Sequence, residues 1–96
     1  MNKKVEKALN EQINAEMYSS YLYLAMSAYF ADANMSGFAN WMRIQAQEEL
    51  AHAMIFFDYV NERGGRVDLK VIEKPKKDWK NAIEVFEETL KHEQRV

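Results

Sequence analysis

Apolar residues return in steps of four and three along two long stretches of the chain and one shorter stretch. In the first, Leu9, Ile13, Glu16, Ser20, Tyr23, Ser27 and Phe30 share a line, the spacing of one helix face. Met17, Leu22, Leu24 and Met26 widen it, so this helix, over about 4–32, is expected to be buried on more than one side. The second line is Phe38, Met42, Gln45, Glu49, His52, Phe56 and Tyr59, which predicts a helix over about 36–63. The third is Ala82, Phe86, Thr89, Glu93 and Val96, a helix over about 78–96. Each line carries polar residues in mid-course.

Turn chemistry divides the three stretches. Asp32 to Gly37 is a turn signal, with Ser36 the expected N-cap of the second helix. Gly64-Gly65 supplies the left-handed residue that ends it. Asp78, followed by Trp79, is the expected N-cap of the third. Between them, 64–77 is the longest connection. Arg66 to Val71 could pass for a short strand but has no partner strand, and Pro75 among lysines speaks for an extended segment. The second helix would be about 42 Å long. Fourteen extended residues reach roughly 46–50 Å. The connection can therefore return along the whole helix, and the third helix starts level with the second and runs parallel to it. The expectation is an all-α bundle with an antiparallel pair and a long crossover.

Composition narrows the class without naming a chemistry. Ninety-six residues form at most one small domain, with three Gly and one Pro, a scarcity that suits long helices. Thirteen basic and fifteen acidic residues leave a net charge of −2, so nucleic-acid binding has no electrostatic support. With no cysteine, disulfides and thiolate metal sites are excluded. No apolar run is long enough to span a bilayer, the N-terminus does not read as a signal peptide, and a cytoplasmic location is expected.

The polar residues within the apolar lines carry the chemical signal. Glu49 and His52, three apart, share a helix face, and a charge on a buried face is costly unless paired or bound to metal. Counted from the helix starts and the first turn, Glu93 comes level with about residue 50 and Glu16 with about residue 51 of the second helix, each to within about one turn. Three carboxylates and one imidazole thus meet at one level. Such donors suit iron, manganese or zinc. Glu on separate helices with Glu-x-x-His is the di-iron carboxylate pattern of helix bundles.

Here the chain resembles the first half of a non-haem bacterial or archaeal ferritin. The likeness is carried by Leu9 to Tyr23, Gln45 to Ala53, Glu62 to Val67 and Lys91 to Gln94, and it extends over nearly every residue. It implies a ferritin-like four-helix bundle, here one domain over 1–96 that breaks off within the third helix. It implies that Glu16, Glu49 and His52 bind a first ferroxidase iron, that Glu49 bridges to a second iron held by Glu93, and that Glu48 borders a third site. Tyr23 would be the nearby tyrosine that bonds a ligand and supplies an electron. The implied reaction is oxidation of Fe(II) by dioxygen or peroxide, followed by ferric mineral storage in a cage of 24 subunits. Val96 falls in mid-helix without a C-cap signal. The fourth-helix Gln and Glu ligands and the channel-lining segments of ferritins lie outside these residues, so a closed cage and full turnover are not expected of them alone. Haem-binding relatives carry a methionine directly after the bridging Glu; Leu50 stands there, so no haem is expected.

Plainer readings stand beside these. Glu49 and His52 could be a helix-surface pair, but placement on the apolar line and register with Glu16 and Glu93 favour ligation. Glu48 lies one step off the line and reads almost as well as a solvated glutamate. Tyr23 reads equally as a core aromatic with a bonded hydroxyl. His92 is expected at the surface, Trp41 and Trp79 as core or loop anchors. A second class of function is a non-catalytic half-bundle that self-associates, as a swapped dimer or small homo-oligomer, through its open apolar face. A third, the DNA-protecting mini-ferritins, is disfavoured by the lack of a basic tail.

Overall fold

The computed structural model describes residues 1–95. Among them are three helices, α1 (Lys3–Asp32), α2 (Ser36–Glu62) and α3 (Ala82–Arg95), in a body 47 Å long and about 20 Å across. The expected end at Val96 lies outside the described residues. Among the described residues no helix is long and apolar enough to cross a membrane.

Both long helices close by the same device. At the end of α1, Asn34 adopts φ 60°, and the Met35 and Asn34 amides donate to the Phe30 and Ala31 carbonyls at 2.8 and 3.2 Å. At the end of α2, Gly64 adopts φ 72°, and the Gly65 and Gly64 amides donate to Val60 and Asn61 at 2.9 and 3.3 Å. These paired bonds satisfy last-turn carbonyls and reverse the chain. Gly65 is tightly packed as well: a Cβ there would lie 2.7 Å from Met1 Sδ and 3.0 Å from Val60 Cγ1, so both side chains would have to give way.

Two expected caps are corrected. Ser36 is the first helical residue of α2, not its cap; Met35 takes the cap position and makes no side-chain cap bond. The α1 closure uses Asn34 and Met35, so helical geometry resumes one residue earlier than expected. Asp78 does not start α3 either. Asn81 caps it, its Oδ1 accepting from the Glu84 amide at 2.9 Å. Trp79 is the reason. Its ring is buried edge-on to Tyr29 at 5.5 Å, and its indole N–H donates to Glu88 Oε2 at 2.7 Å. Trp79 serves as a wedge in the core and the helix begins after it. Trp41, by contrast, is 45% exposed.

Two serines record the pairing of α1 and α2. Ser20 Oγ donates to the Ala46 carbonyl at 2.7 Å, and Ser27 Oγ to the Ala39 carbonyl at 2.6 Å. Numbers rise along α1 as they fall along α2, so the pair is antiparallel. The crossover leaves the far end tied to α1: Asn10 Nδ2 donates to the Arg66 carbonyl at 3.0 Å, and the Asp68 amide to Asn10 Oδ1 at 2.9 Å. It arrives at the opposite end, where Phe86 packs on Phe30 and Phe38 at 5.7 and 5.1 Å. Further along α3, Thr89 meets Met26 and Glu93 meets Tyr23. α3 therefore descends α1 and runs parallel to α2, as its crossover length requires.

The apolar core is Leu22, Tyr23, Met26, Phe30, Met42, Ala46, Trp79 and Val85. On α1 the expected line is buried, except that Leu9 and Ser20 are half-buried; of the residues expected to widen it, Leu22 and Met26 are buried, Met17 is half-buried and Leu24 faces outward. On α2 the line is turned by about one residue. The buried positions are Met42, Ala46, Glu49, Ala53 and Val60, whereas Phe38, His52 and Tyr59 are exposed. The small residues Ala46 and Ala53 face α1, because close approach of two helix backbones selects small side chains at the contact.

Candidate metal centre

The serine register brings the acidic residues together. With Ser20 opposite Ala46, one turn back along α1 and one turn on along α2 puts Glu16 against Glu49. Glu16, Glu49 and His52 each offer a ligand atom, all within 4.8 Å of one another. His52 Nδ1 lies 3.7 Å from Glu16 Oε2 and 3.6 Å from Glu49 Oε2. The two carboxylates are 5% and 8% exposed, so they face each other with little water between them.

That arrangement is electrostatically unfinished. Glu16 Oε1 accepts from Gln12 Nε2 at 2.8 Å, but the buried Glu16 Oε2 has no hydrogen-bond partner among the described residues. A buried acceptor left without a donor costs about 1–3 kcal/mol. No lysine or arginine pairs with Glu16 or Glu49 among the described residues. Burial pushes the Glu49 carboxyl up to about 8, with its hydrogen bond to Glu16 next in effect and the charges of Glu16, Glu93 and Glu48 adding to it; the Glu49 proton is thus the one donor within reach of the Glu16 carboxylate on this side. Two carboxylates confined together hold one proton between them far above the usual range. A divalent cation in place of that proton would satisfy both carboxylates and the orphaned oxygen.

Tyr23 follows Glu16 by two turns of α1. Side chains lean toward the N-terminus of their helix, so its hydroxyl returns toward Glu16. Burial raises the Tyr23 phenol well above its ordinary range, with the Glu93 hydrogen bond next and the charges of Glu93, Glu49 and Glu16 adding. The fully buried Tyr23 donates its O–H to Glu93 Oε1. Glu93 is itself exposed at the end of α3, joined to the cluster through Tyr23 and through its charge on Glu49. Glu48 is exposed, one step round α2, and touches the centre only as a neighbouring charge.

Two supporting residues were not legible as such. Gln12 stands four residues before Glu16, a spacing that places it on the same face, but any polar residue on α1 has such a neighbour. His92, expected at the surface, is half-buried. Its Nε2 lies 2.6 Å from Ser19 Oγ, in a place made by α1 and α3 together, so no single-helix pattern could reveal it.

Comparison with known proteins adds a family to this geometry. The model of the ferritin-like domain matches residues 6–96. Over 96 residues the chain is 46% identical to the bacterial non-heme ferritin of Bacteroides fragilis, covering 100% of this chain and 60% of that protein. It is 41% identical to that of Staphylococcus haemolyticus, covering 58% of it. The crystal structure of an open pore ferritin from the hyperthermophilic archaeon Archaeoglobus fulgidus superposes with a TM-score of 0.96 at 52% identity, covering 99% of this chain and 59% of that one. The chain thus spans about 60% of the length of the relatives it matches.

Proposed function

Because this chain belongs to the ferritin-like domain family, we propose that it serves iron storage, with Fe(II) bound and oxidised at the level of Glu16 and Glu49. The observation that carries the reading is the buried Glu16 Oε2, which among the described residues has no donor but the Glu49 carboxyl and which faces Glu49 and His52. Fe(II) is the substrate. Glu16 and Glu49 give it oxygen ligands and His52 gives a nitrogen through Nδ1, the ring atom turned to both carboxylates. This mixed set suits a borderline divalent ion.

Charge neutralisation supplies the binding energy. Loss of the proton shared near Glu49 exchanges one buried charge mismatch for a cation that satisfies both carboxylates. Binding is thus favoured as pH rises toward 8. Glu49, between the cluster and Glu93, is the group that would bridge to a second Fe(II) held by Glu93. Glu48 would stand outside this pair, at a third site. Each Fe(II) gives up one electron, and two together reduce one molecule of dioxygen or peroxide by two electrons. Tyr23, bonded to Glu93, orients that carboxylate and supplies an electron in turn. No haem takes part. The 96 residues act as a single ferritin-like domain within a homo-oligomer, a cage of 24 subunits, in the cytoplasm where Fe(II) is kept reduced.

Aerobic addition of Fe(II) tests the reading. Wild-type chain should give a transient visible band and then a brown ferric product. Glu49→Ala and His52→Ala should lose both, and unchanged iron uptake in these variants would refute the assignment.

A further inference from the structure

Ser19 and Tyr23 stand one turn apart on one face of α1, both buried. His92 and Glu93 are consecutive on α3. The first pair meets the second: Ser19 Oγ lies 2.6 Å from His92 Nε2, and Tyr23 donates to Glu93. The Ser19 hydroxyl hydrogen goes to the Ala15 carbonyl at 3.0 Å. Its oxygen is left as an acceptor, so His92 Nε2 carries the hydrogen that joins them. The imidazole also packs edge-on to Tyr23, at 5.8 Å and 85°, and against Tyr18 at 6.1 Å. His92 is therefore enclosed on three sides by α1 side chains, yet the proposed reaction makes no use of it.

The geometry needs two points of attachment. A slip of one residue turns a helix by about 100° and shifts it by about 1.5 Å. The bond from Tyr23 to Glu93 could follow part of that motion, because glutamate is long and Glu93 is exposed. The bond from His92 to Ser19 could not, because the ring is stiff and lodged between two tyrosines. Bonds from two consecutive α3 residues to two α1 residues one turn apart fix both rotation and height of the last turns of α3.

We propose that Ser19 and His92 are positioning residues that lock the register of α3 on α1 and so hold the Tyr23 and Glu93 side chains together beside Glu49. The functional part of this rests on reading Glu93 as a ligand of the second Fe(II); the structural part does not. Tyrosine labelled with carbon-13 at Cζ reports the hydrogen bond of each phenol, and Tyr23→Phe identifies the Tyr23 resonance. In His92→Leu and in Ser19→Ala that resonance should move upfield, away from the position of a phenol bonded to a carboxylate. In His92→Gln, whose Nε2–H can reach the place of the imidazole Nε2–H, it should stay near wild type. An unmoved resonance in Ser19→Ala overturns the proposal, and this variant decides alone if His92→Leu fails to fold. His92→Gln behaving as His92→Leu overturns it too.

Cobalt(II) titration of the same chains, followed by visible absorption, separates the clamp from the iron reading. His92→Leu should weaken the second equivalent about ten- to a hundredfold, as for other groups that orient a ligand, and leave the first unchanged. Equal weakening of both equivalents contradicts a role specific to Glu93. A wild-type chain that takes no cobalt, but whose Tyr23 resonance still answers to His92, keeps the clamp and removes the iron reading.

Discussion

The aromatic end of the bundle and the carboxylate level below it are built from the same helices to opposite specifications. At the aromatic end Phe30, Met42, Val85 and Trp79 are buried, the rings of Phe30, Phe38 and Phe86 meet at 5.1–5.7 Å, and the one polar atom of Trp79 has its partner in Glu88. Lys76 closes that corner, 3.1 Å from Glu88 and 5.3 Å above the Trp79 ring. Further along the bundle Glu16 and Glu49 are also buried, but Glu16 Oε2 has no donor except the Glu49 carboxyl, whose proton is held up to about 8. The first region gains stability by satisfying every group it buries. The second buries two carboxylates that no lysine or arginine pairs with among the described residues, a charge pattern that a cation would neutralise.

The largest expected effect breaks the aromatic end. Phe30→Ala should cost about 3–5 kcal/mol, read as a lowered urea midpoint in the metal-free chain. If the two regions really divide stability from binding, Glu49→Ala should show no comparable loss in the same titration.

Addition of metal should reverse that order. A divalent ion at a hundred times its dissociation constant should stabilise the wild-type chain by about 2.7 kcal/mol through mass action. Thermal melts with and without chelator would measure it, and Glu49→Ala should be indifferent to the ion.

A third expectation concerns protons. Glu49 has a folded value of about 8 against 4.5 for a free glutamate, so between these limits the folded chain holds the extra proton. The stability this contributes is complete below about pH 4.5 and is lost as pH rises through 8. With chelator present, the wild-type denaturation midpoint should fall from pH 5 to pH 8, and Glu49→Gln should flatten the fall. A wild-type midpoint that rose over this interval would contradict the shared-proton account.

The smallest effect sharpens the comparison. Trp79→Phe removes the indole bond to Glu88 while keeping most of the apolar contact, so it should cost about 1 kcal/mol. Metal affinity should not change, because the bond lies at the other end of α3.

Much of this is legible in the sequence. The four-and-three spacing predicts three helices, and the length of 64–77 predicts a crossover and a parallel third helix, because helix rise and chain extension are fixed by covalent geometry. Glu16, Glu49 and His52 stood out as polar residues on apolar lines, and the structure brings their ligand atoms within 4.8 Å of one another. The caps were less legible. Ser36 and Asp78 have the right chemistry for a cap, but the Asn34 closure and the burial of Trp79 decide where helical geometry resumes.

Local pattern thus determined which stretches are helical, how they connect, and which side chains are too polar for the faces they occupy. Tertiary structure alone decided the rotation of α2 that buries Ala46 and Ala53 and exposes His52, and the enclosure of His92 by Ser19, Tyr18 and Tyr23. The physical reason is that helix periodicity is a property of one segment, repeated every few residues. Rotation and register between helices come from which small, aromatic and hydrogen-bonding groups fit across a contact, and those partners lie up to 73 positions apart in the chain.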